Sequence, residues 1–334
     1  MREGPLVGAG KVRMVADERP GRACYLDGGS KEVRPIVVLS SVIIDEITLP
    51  DGRRRADVLG GAGTHSAIGA SAWWPSVAIV AGVGRDLNGL TRRQMTGLGI
   101  RTEGLLIRDE QTIRNRLVYR NDGERTETPV LGVEHFQKMQ TGPDDVPHAL
   151  LPAVGTYFFC DLRGDFWAAF HRRRRLLGTT LWELHGGAAN ASATPLVTQR
   201  LSAVDIFSLN LVEARALLGI EEPHAIVSRL LTFGAGIVVL RMGAFGALIG
   251  TSRHRLRTYP PACHVVDVTG AGNAFCGAFL AAWCKSGDLQ WTARAATAAA
   301  TQCVARYGPP QRIDHQALDA LATATKVEDA GAPT

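Results

Sequence analysis

From residue 155 onward, short β-branched and aromatic runs alternate with stretches of helical composition. No other feature restricts the fold of this 334-residue chain as much. Thr156–Cys160, Thr179–Glu183, Val204–Leu209 and Gly236–Leu240 read as strands, separated by helical segments near 165–177, 193–200, 211–219 and 223–233. Strand, helix, strand in succession implies a mostly parallel sheet with helices on both faces. Sheets of that kind need strands that are apolar throughout, because neither face meets water. Ile36–Ile44 and Val77–Val83 fit the same description upstream. A hairpin-like pair (Ala247–Thr251, Arg255–Tyr259), Ala-rich helices at about 273–286 and 290–306, and a last helix from about Asp314 complete the pattern. The expected fold class is α/β, with three layers.

Two segments break this rhythm. Residues 1–34 are rich in Gly, Arg and acidic residues with little periodicity, and read as an N-terminal extension. Between Thr112 and Thr128 the chain alternates: Ile113, Asn115, Leu117 and Tyr119 against Arg114, Arg116, Val118 and Arg120, with Asn121-Asp122-Gly123 as the turn. A hairpin with one apolar face suits a small sheet laid over a larger body. Together with a polar strand around Arg53–Val58 it gives a lid, with strands at about 46–58 and 108–130. The expected organisation is one domain over 35–326 carrying this lid, with 327–334 as a tail.

Glycine turns entering helices mark the candidate site. In Asp267-Val268-Thr269-Gly270-Ala271-Gly272-Asn273 a β-branched run gives way to a turn that opens an apolar helix. Such a turn converges backbone N–H groups on one point, and the helix adds unpaired N–H groups and its positive end. Its natural guest is a phosphate or a developing oxyanion. Gly60-Gly61-Ala62-Gly63-Thr64-His65 is a second turn of this kind. Asn273 can cap backbone N–H groups or orient a hydroxyl through its carbonyl, but it cannot take a proton. His65 and Asp45 are the alternative bases.

The bulk numbers narrow the partners. The net charge of +5 is scattered apart from Arg172–Arg175, and no aromatic residues interleave with it as on a nucleic-acid platform. That run reads as a solvated helix face. No stretch reaches membrane-span length, and the N-terminus has no apolar signal core. The six cysteines (24, 160, 263, 276, 284, 303) show no metal-ligand spacing and suit a reducing compartment. A cytoplasmic protein with a small-molecule substrate is expected, with neither nucleic acid nor membrane as partner.

Taken in order, these motifs resemble the ribokinase-like (PfkB) family of sugar and nucleoside kinases over about Ile36 to Ala322. The resemblance implies a three-layer α/β/α sandwich with a small β lid, and ATP-dependent transfer of a phosphoryl group to a substrate hydroxyl. It assigns the anion hole to Gly270, Ala271 and Gly272, and the position of the catalytic base to residue 273, where the family has Asp and this chain has Asn. Asp267 falls beside a monovalent cation, K+. Asn210-Leu211-Val212-Glu213 matches the family's Asn-x-x-Glu, with Glu213 holding Mg2+ through water. Arg241, Gly243 and Gly246 fall on its nucleotide-binding strand-turn-strand, and Thr269 on the nucleotide side of the turn. Asp45, Gly60, Gly61 and Gly63 fall on its sugar site, with His65 where Asn is usual.

Gly82-Val83-Gly84-Arg85-Asp86 with Gly89 matches a further family motif, and the Trp182-Glu183 strand ending with Gly-Ala-Gly-Asn is similar to an atypical subgroup. Asn273 keeps two alternatives open: a catalytically inactive nucleotide- or sugar-binding pseudokinase, and an enzyme using the same cleft for another reaction. An exposed apolar lid face at Leu117 and Tyr119 would support a homodimer through the lid.

Overall fold

The computed structural model describes residues 33–87, 89–120 and 125–331. Most of the N-terminal extension, the Asn121-Asp122-Gly123 turn and the last three residues lie outside the described residues. In chain order the strands are β1 (Ile36–Leu39), β2 (Ile43–Thr48), β3 (Arg54–Gly60), β4 (Val77–Gly84), β5 (Ile100–Asp109), β6 (Ile113–Tyr119), β7 (Arg125–Pro129), β8 (Gly155–Cys160), β9 (Thr179–Leu184), β10 (Ile206–Asn210), β11 (Ile237–Arg241), β12 (Ala247–Gly250), β13 (Arg255–Tyr259) and β14 (Lys326–Asp329). The helices are α1 (Ala62–Ser71), α2 (Gly89–Gly97), α3 (Gly132–Lys138), α4 (Gly164–Arg173), α5 (Thr194–Leu201), α6 (Leu211–Leu218), α7 (Pro223–Thr232), α8 (Ala271–Ser286), α9 (Leu289–Val304) and α10 (His315–Ala324).

Ten strands form one sheet in the order β14-β13-β12-β11-β10-β9-β8-β1-β4-β5. The seven from β11 to β5 run parallel, and β12, β13 and β14 add on antiparallel. Alternate residues of these strands enter two separate cores. Ile36, Val38, Tyr157 and Leu181 face α1, α8 and α9, whereas Val37, Leu39, Phe158 and Trp182 face α4 to α7. That division is the expected three-layer sandwich. β1 pairs with β4 on one side and β8 on the other, so the order of connection reverses there. Ligand crevices open beyond the carboxyl ends of strands at such a point.

The lid is a second sheet, β3-β2-β6-β7. Its inward residues Ile47, Leu49, Leu117 and Tyr119 bury themselves with Val58 and Tyr307. Leu117 and Tyr119 are thus covered by this chain itself and offer no exposed apolar face for a dimer.

Three sequence boundaries shift. Ile36–Ile44 is not one strand, because the chain leaves the main sheet after Leu39 and starts the lid at Ile43. At the break, the Ser41 carbonyl accepts a hydrogen bond from the Gly63 N–H (2.9 Å) instead of a ladder bond. Residues 108 and 109 end β5 of the main sheet rather than the lid. The expected tail begins with an edge strand, since β14 pairs antiparallel with β13. Within the arginine run, Arg174 is half-buried and bound to Asp205 (2.7 Å), so it ties β9 to β10 rather than facing solvent alone.

Candidate active site

The site exists because α1 and α8 pack with almost no spacing. A Cβ on Gly277 would lie 1.9 Å from the Ser66 carbonyl oxygen, and one on Gly69 would lie 2.1 Å from that of Ala274. Only hydrogen fits at either position. The two glycine turns that precede these helices, 60–63 and 267–272, are thereby brought to one end of the sheet. Together they border a cavity of about 270 Å³ beneath the lid.

In the second turn Gly270 takes φ 77°, a left-handed conformation that glycine adopts without strain. The Ala271 N–H turns back to the Val268 carbonyl (3.3 Å) and that of Ala274 to the Gly270 carbonyl (2.8 Å). The N–H groups of Gly272 and Asn273 have no acceptor among the described residues. They point along the helix axis as an anion site requires. Asp267 is buried, its Oδ1 accepting from the Thr269 N–H (2.9 Å) and hydroxyl (2.6 Å).

His65, on α1, lies directly under this turn: a side chain on Gly270 would meet its ring at 2.2 Å. Burial holds the imidazole down at about 4, against the pull of Asp267 and with Arg125 adding to the depression. His65 is therefore neutral near pH 7. Asp45 faces the cavity from β2 rather than from the end of a main-sheet strand, and its carboxylate fills the space where Gly60 lacks a side chain. Burial pushes its carboxyl up to about 7, with Glu127 and Asp267 adding repulsion and Arg125 opposing them. Gly61 lines the same cavity, and Gly63 packs against the Ser41 carbonyl.

Asn273 borders the cavity and binds inward. Its Nδ2 lies 3.2 Å from Glu183 Oε2 and 3.3 Å from the Tyr157 hydroxyl. Arg241 lies behind the Gly270–Gly272 turn rather than at its mouth. Its Nη2 pairs with Glu183 Oε1 at 2.9 Å, its Nε donates to Ser208 Oγ at 3.1 Å, and Nη1 fills the place of a Gly272 side chain. Asn210 and Glu213 cap α6 reciprocally: Glu213 N–H donates to Asn210 Oδ1 (2.9 Å) and Asn210 N–H to Glu213 Oε2 (2.8 Å). Burial raises the Glu213 pKa, opposed by the Asn210 N–H and Arg241. Its other oxygen faces Gly186. Gly243 and Gly246 shape the turn between β11 and β12.

Tyr157 and the role of Glu183 escape a reading of the sequence. Glu183 lies next to last in an apolar strand, where a charge is unexpected, and that is the available signal. Tyr157 carries no signal at all within its aromatic run. His185 lines the cavity together with Phe159 and Phe136. These three residues and Ser41 also line an adjoining chamber of about 210 Å³ that reaches Asp161 and Arg163. Ser40 Oγ, also lining that chamber, is buried with no hydrogen-bond partner among the described residues.

Sheet order, lid and glycine turns define a ribokinase-like α/β protein. The chain belongs to the pfkB family of carbohydrate kinases, which it matches over residues 35–315. It is 25% identical over 326 residues to an uncharacterized protein of Schizosaccharomyces pombe, covering 85% of this chain and 88% of that protein. Over 277 residues it is 26% identical to the cytidine kinase of Thermococcus kodakarensis, covering 82% and 97%. Among solved structures, the fructokinase of Vibrio cholerae with fructose, ADP and calcium bound shares the fold with a TM-score of 0.69. The identity there is 19%, and the match covers 86% of this chain and 99% of that one.

Proposed function

We propose that this protein transfers the terminal phosphoryl group of ATP to a hydroxyl of a sugar, a nucleoside or a related small metabolite. The observation that carries the reading is the convergence of both glycine turns, Asp45 and Asn273 on one lid-covered cavity. In this reading Gly270, Ala271, Gly272 and Thr269 form the phosphate end, where the free N–H groups of Gly272 and Asn273 receive the transferred group. Asp45, Gly60, Gly61 and Gly63 hold the substrate, whose remainder extends into the chamber beside Phe159 and His185.

The residues fit an outer-sphere Mg2+. Glu213 keeps one carboxylate oxygen outside its capping bonds, and Mg2+ retains waters and binds mainly through phosphates. When bound, it neutralises phosphate charge. Asp267 takes the K+ position in the same reading, and Arg241, Gly243 and Gly246 support the nucleotide from below.

Proton removal falls to Asp45. A base works best with a pKa near the working pH, so a carboxyl near 7 outranks an imidazole near 4. Asn273 orients the hydroxyl. A missing or misplaced general base costs typically ~10²–10⁴ in rate, while positioning and electrostatics supply most of phosphoryl-transfer catalysis. A slow kinase is the consequence.

The test is ADP formation from ATP and Mg2+ against a panel of sugars and nucleosides, with Asp45→Asn alongside. Turnover that Asp45→Asn lowers by about 10²–10⁴ while nucleotide binding persists supports the reading. Calorimetry that detects no nucleotide binding sinks it. The amide at 273 favours one other reading, a nucleotide- or sugar-binding protein without turnover, which tight binding with no ADP formed would establish.

A further inference from the structure

Strand periodicity turns Trp182 into one core and Glu183 into the opposite one, beneath the first turn of α8. There Glu183 is 2% exposed and accepts from three sides. The Tyr157 hydroxyl donates to Oε2 at 2.7 Å, Asn273 Nδ2 reaches the same oxygen at 3.2 Å, and Arg241 Nη2 meets Oε1 at 2.9 Å. A carboxylate only accepts, and an amide has one donating end and one accepting end. Turning the Asn273 amide over would set Oδ1 against Glu183 Oε2 and the donating end toward the cavity. Glu183 forbids that arrangement.

We propose that Glu183 is a positioning residue: held by Arg241 and Tyr157, it fixes the Asn273 amide with Oδ1 toward the cavity, so that position 273 reads a hydrogen-bond donor on the ligand. It also follows that residues 183 and 273 form a donor–carboxylate pair whose members cannot be changed independently. An Asp at 273 would place a second carboxylate about where the amide nitrogen now lies, 3.2 Å from Glu183 Oε2. Two carboxylates that close do not both ionise without a large cost. The groups facing this point are Tyr157 from β8, Glu183 from β9, Arg241 from β11 beneath Gly272, Glu213 from α6 beside Arg241, His65 from α1 beneath Gly270, and Cys276 one turn along α8, with Asp45, Arg125, Glu127 and His185 across the cavity that Asn273 lines. Arg241 is the cation on the buried side, and it is already paired with Glu183 (2.9 Å) and close to Glu213 (3.8 Å).

The inference is independent of phosphoryl transfer and is read in stability. Thermal unfolding of the full chain is followed from pH 5 to pH 9 for the wild type, Asn273→Asp, Glu183→Gln and the double variant. Asn273→Asp is expected to lose melting temperature progressively as pH rises, relative to the wild type. The double variant again has one donor and one carboxylate, so it is expected to lose that slope and to recover much of the drop. A purely structural role for Glu183 would give two losses that add and no slope. If Asn273→Asp does not fold at neutral pH, its recovery at pH 5 and in the double variant reads the same coupling. A wild-type pH profile for Asn273→Asp, or a double variant no better than the sum of the singles, overturns the proposal.

Discussion

The phenol of Tyr119, in the lid, lies 2.9 Å from Oγ1 of Thr269, in the turn that opens α8. Because Thr269 Oγ1 donates its proton to Asp267 Oδ1 at 2.6 Å, Tyr119 must be the donor in this pair. The bond joins the lid to the turn that opens α8. Tyr119→Phe keeps the ring packed edge-on against Tyr307 (centroids 5.3 Å) and removes only the hydroxyl. The expected cost is about 1 kcal/mol. Amide exchange should quicken in β2, β3, β6 and β7 and stay unchanged in the main sheet, as hydrogen-exchange mass spectrometry would show. Unaltered lid exchange would mean that this bond does not hold the lid.

Gly270 faces two independent obstacles to substitution, its φ of 77° and the His65 ring where a Cβ would sit. Gly270→Ala should cost more than about 1 kcal/mol from the backbone alone, with overpacking adding about 1–3 kcal/mol. Adding His65→Ala should restore the packing part and leave the backbone part. Chemical denaturation of both variants separates the two. A double variant no more stable than Gly270→Ala would place the whole penalty in the backbone.

Asp45 and His65 pull stability in opposite directions with pH. Asp45 has a folded pKa of about 7 against 3.8 for an ordinary carboxyl, so between these values the folded state binds more protons and stability falls as pH rises. His65 has a folded pKa of about 4 against 6.5, so between those values the unfolded state binds more protons and stability rises with pH. Relative to the wild type, Asp45→Asn should therefore gain stability steadily from about pH 4 to pH 7. His65→Gln should drift the other way from about pH 4 to pH 6.5. Urea unfolding midpoints at half-unit steps of pH would show both slopes, and parallel profiles would contradict the assigned environments.

The same carboxyl governs rate in the proposed kinase. Activity should rise with pH through about 7 as Asp45 ionises, and the rise should vanish in Asp45→Asn. A pH–kcat/KM profile with a residual Asp45→Asn rate is the measurement; an unchanged rise would move the base elsewhere.

Gly277→Val should damage the site from a distance. The new side chain meets the Ser66 carbonyl, a backbone atom of α1 that cannot rotate away, so the two helices must separate. A loss of about 1–3 kcal/mol or more is expected. Weaker nucleotide binding should accompany it, because both glycine turns ride on these helices. Calorimetry with ATP on the folded fraction checks the second part.

The layered architecture was legible because burial on both faces demands unbroken apolar strands, and few sequences other than Thr156–Cys160 or Gly236–Leu240 meet that demand so plainly. The lid hairpin was legible for the opposite reason, one wet face and strict alternation from Ile113 to Tyr119. The Ile36–Ile44 run misled, since hydrophobic continuity does not register a change of sheet at Ser41. The edge strand Lys326–Asp329 was missed because its charged residues lack an inward pattern. The buried place of Arg241 was not legible, since its partner Glu183 is 58 positions away in the chain.

What the sequence alone determined is local. Gly270 needs its left-handed turn, α8 needs a start at Ala271, and Asn210 with Glu213 needs only three residues to cap a helix. Those depend on torsion angles and spacings along the backbone. The tertiary structure decided everything that depends on distance through space. It put His65 under Gly270, turned Asp45 into a carboxyl near 7 by burying it, and set Glu183 and Arg241 behind Asn273. Burial, charge and hydrogen-bond direction belong to neighbours far apart in the chain, and only the packing of α1 against α8 over this sheet brings those neighbours together.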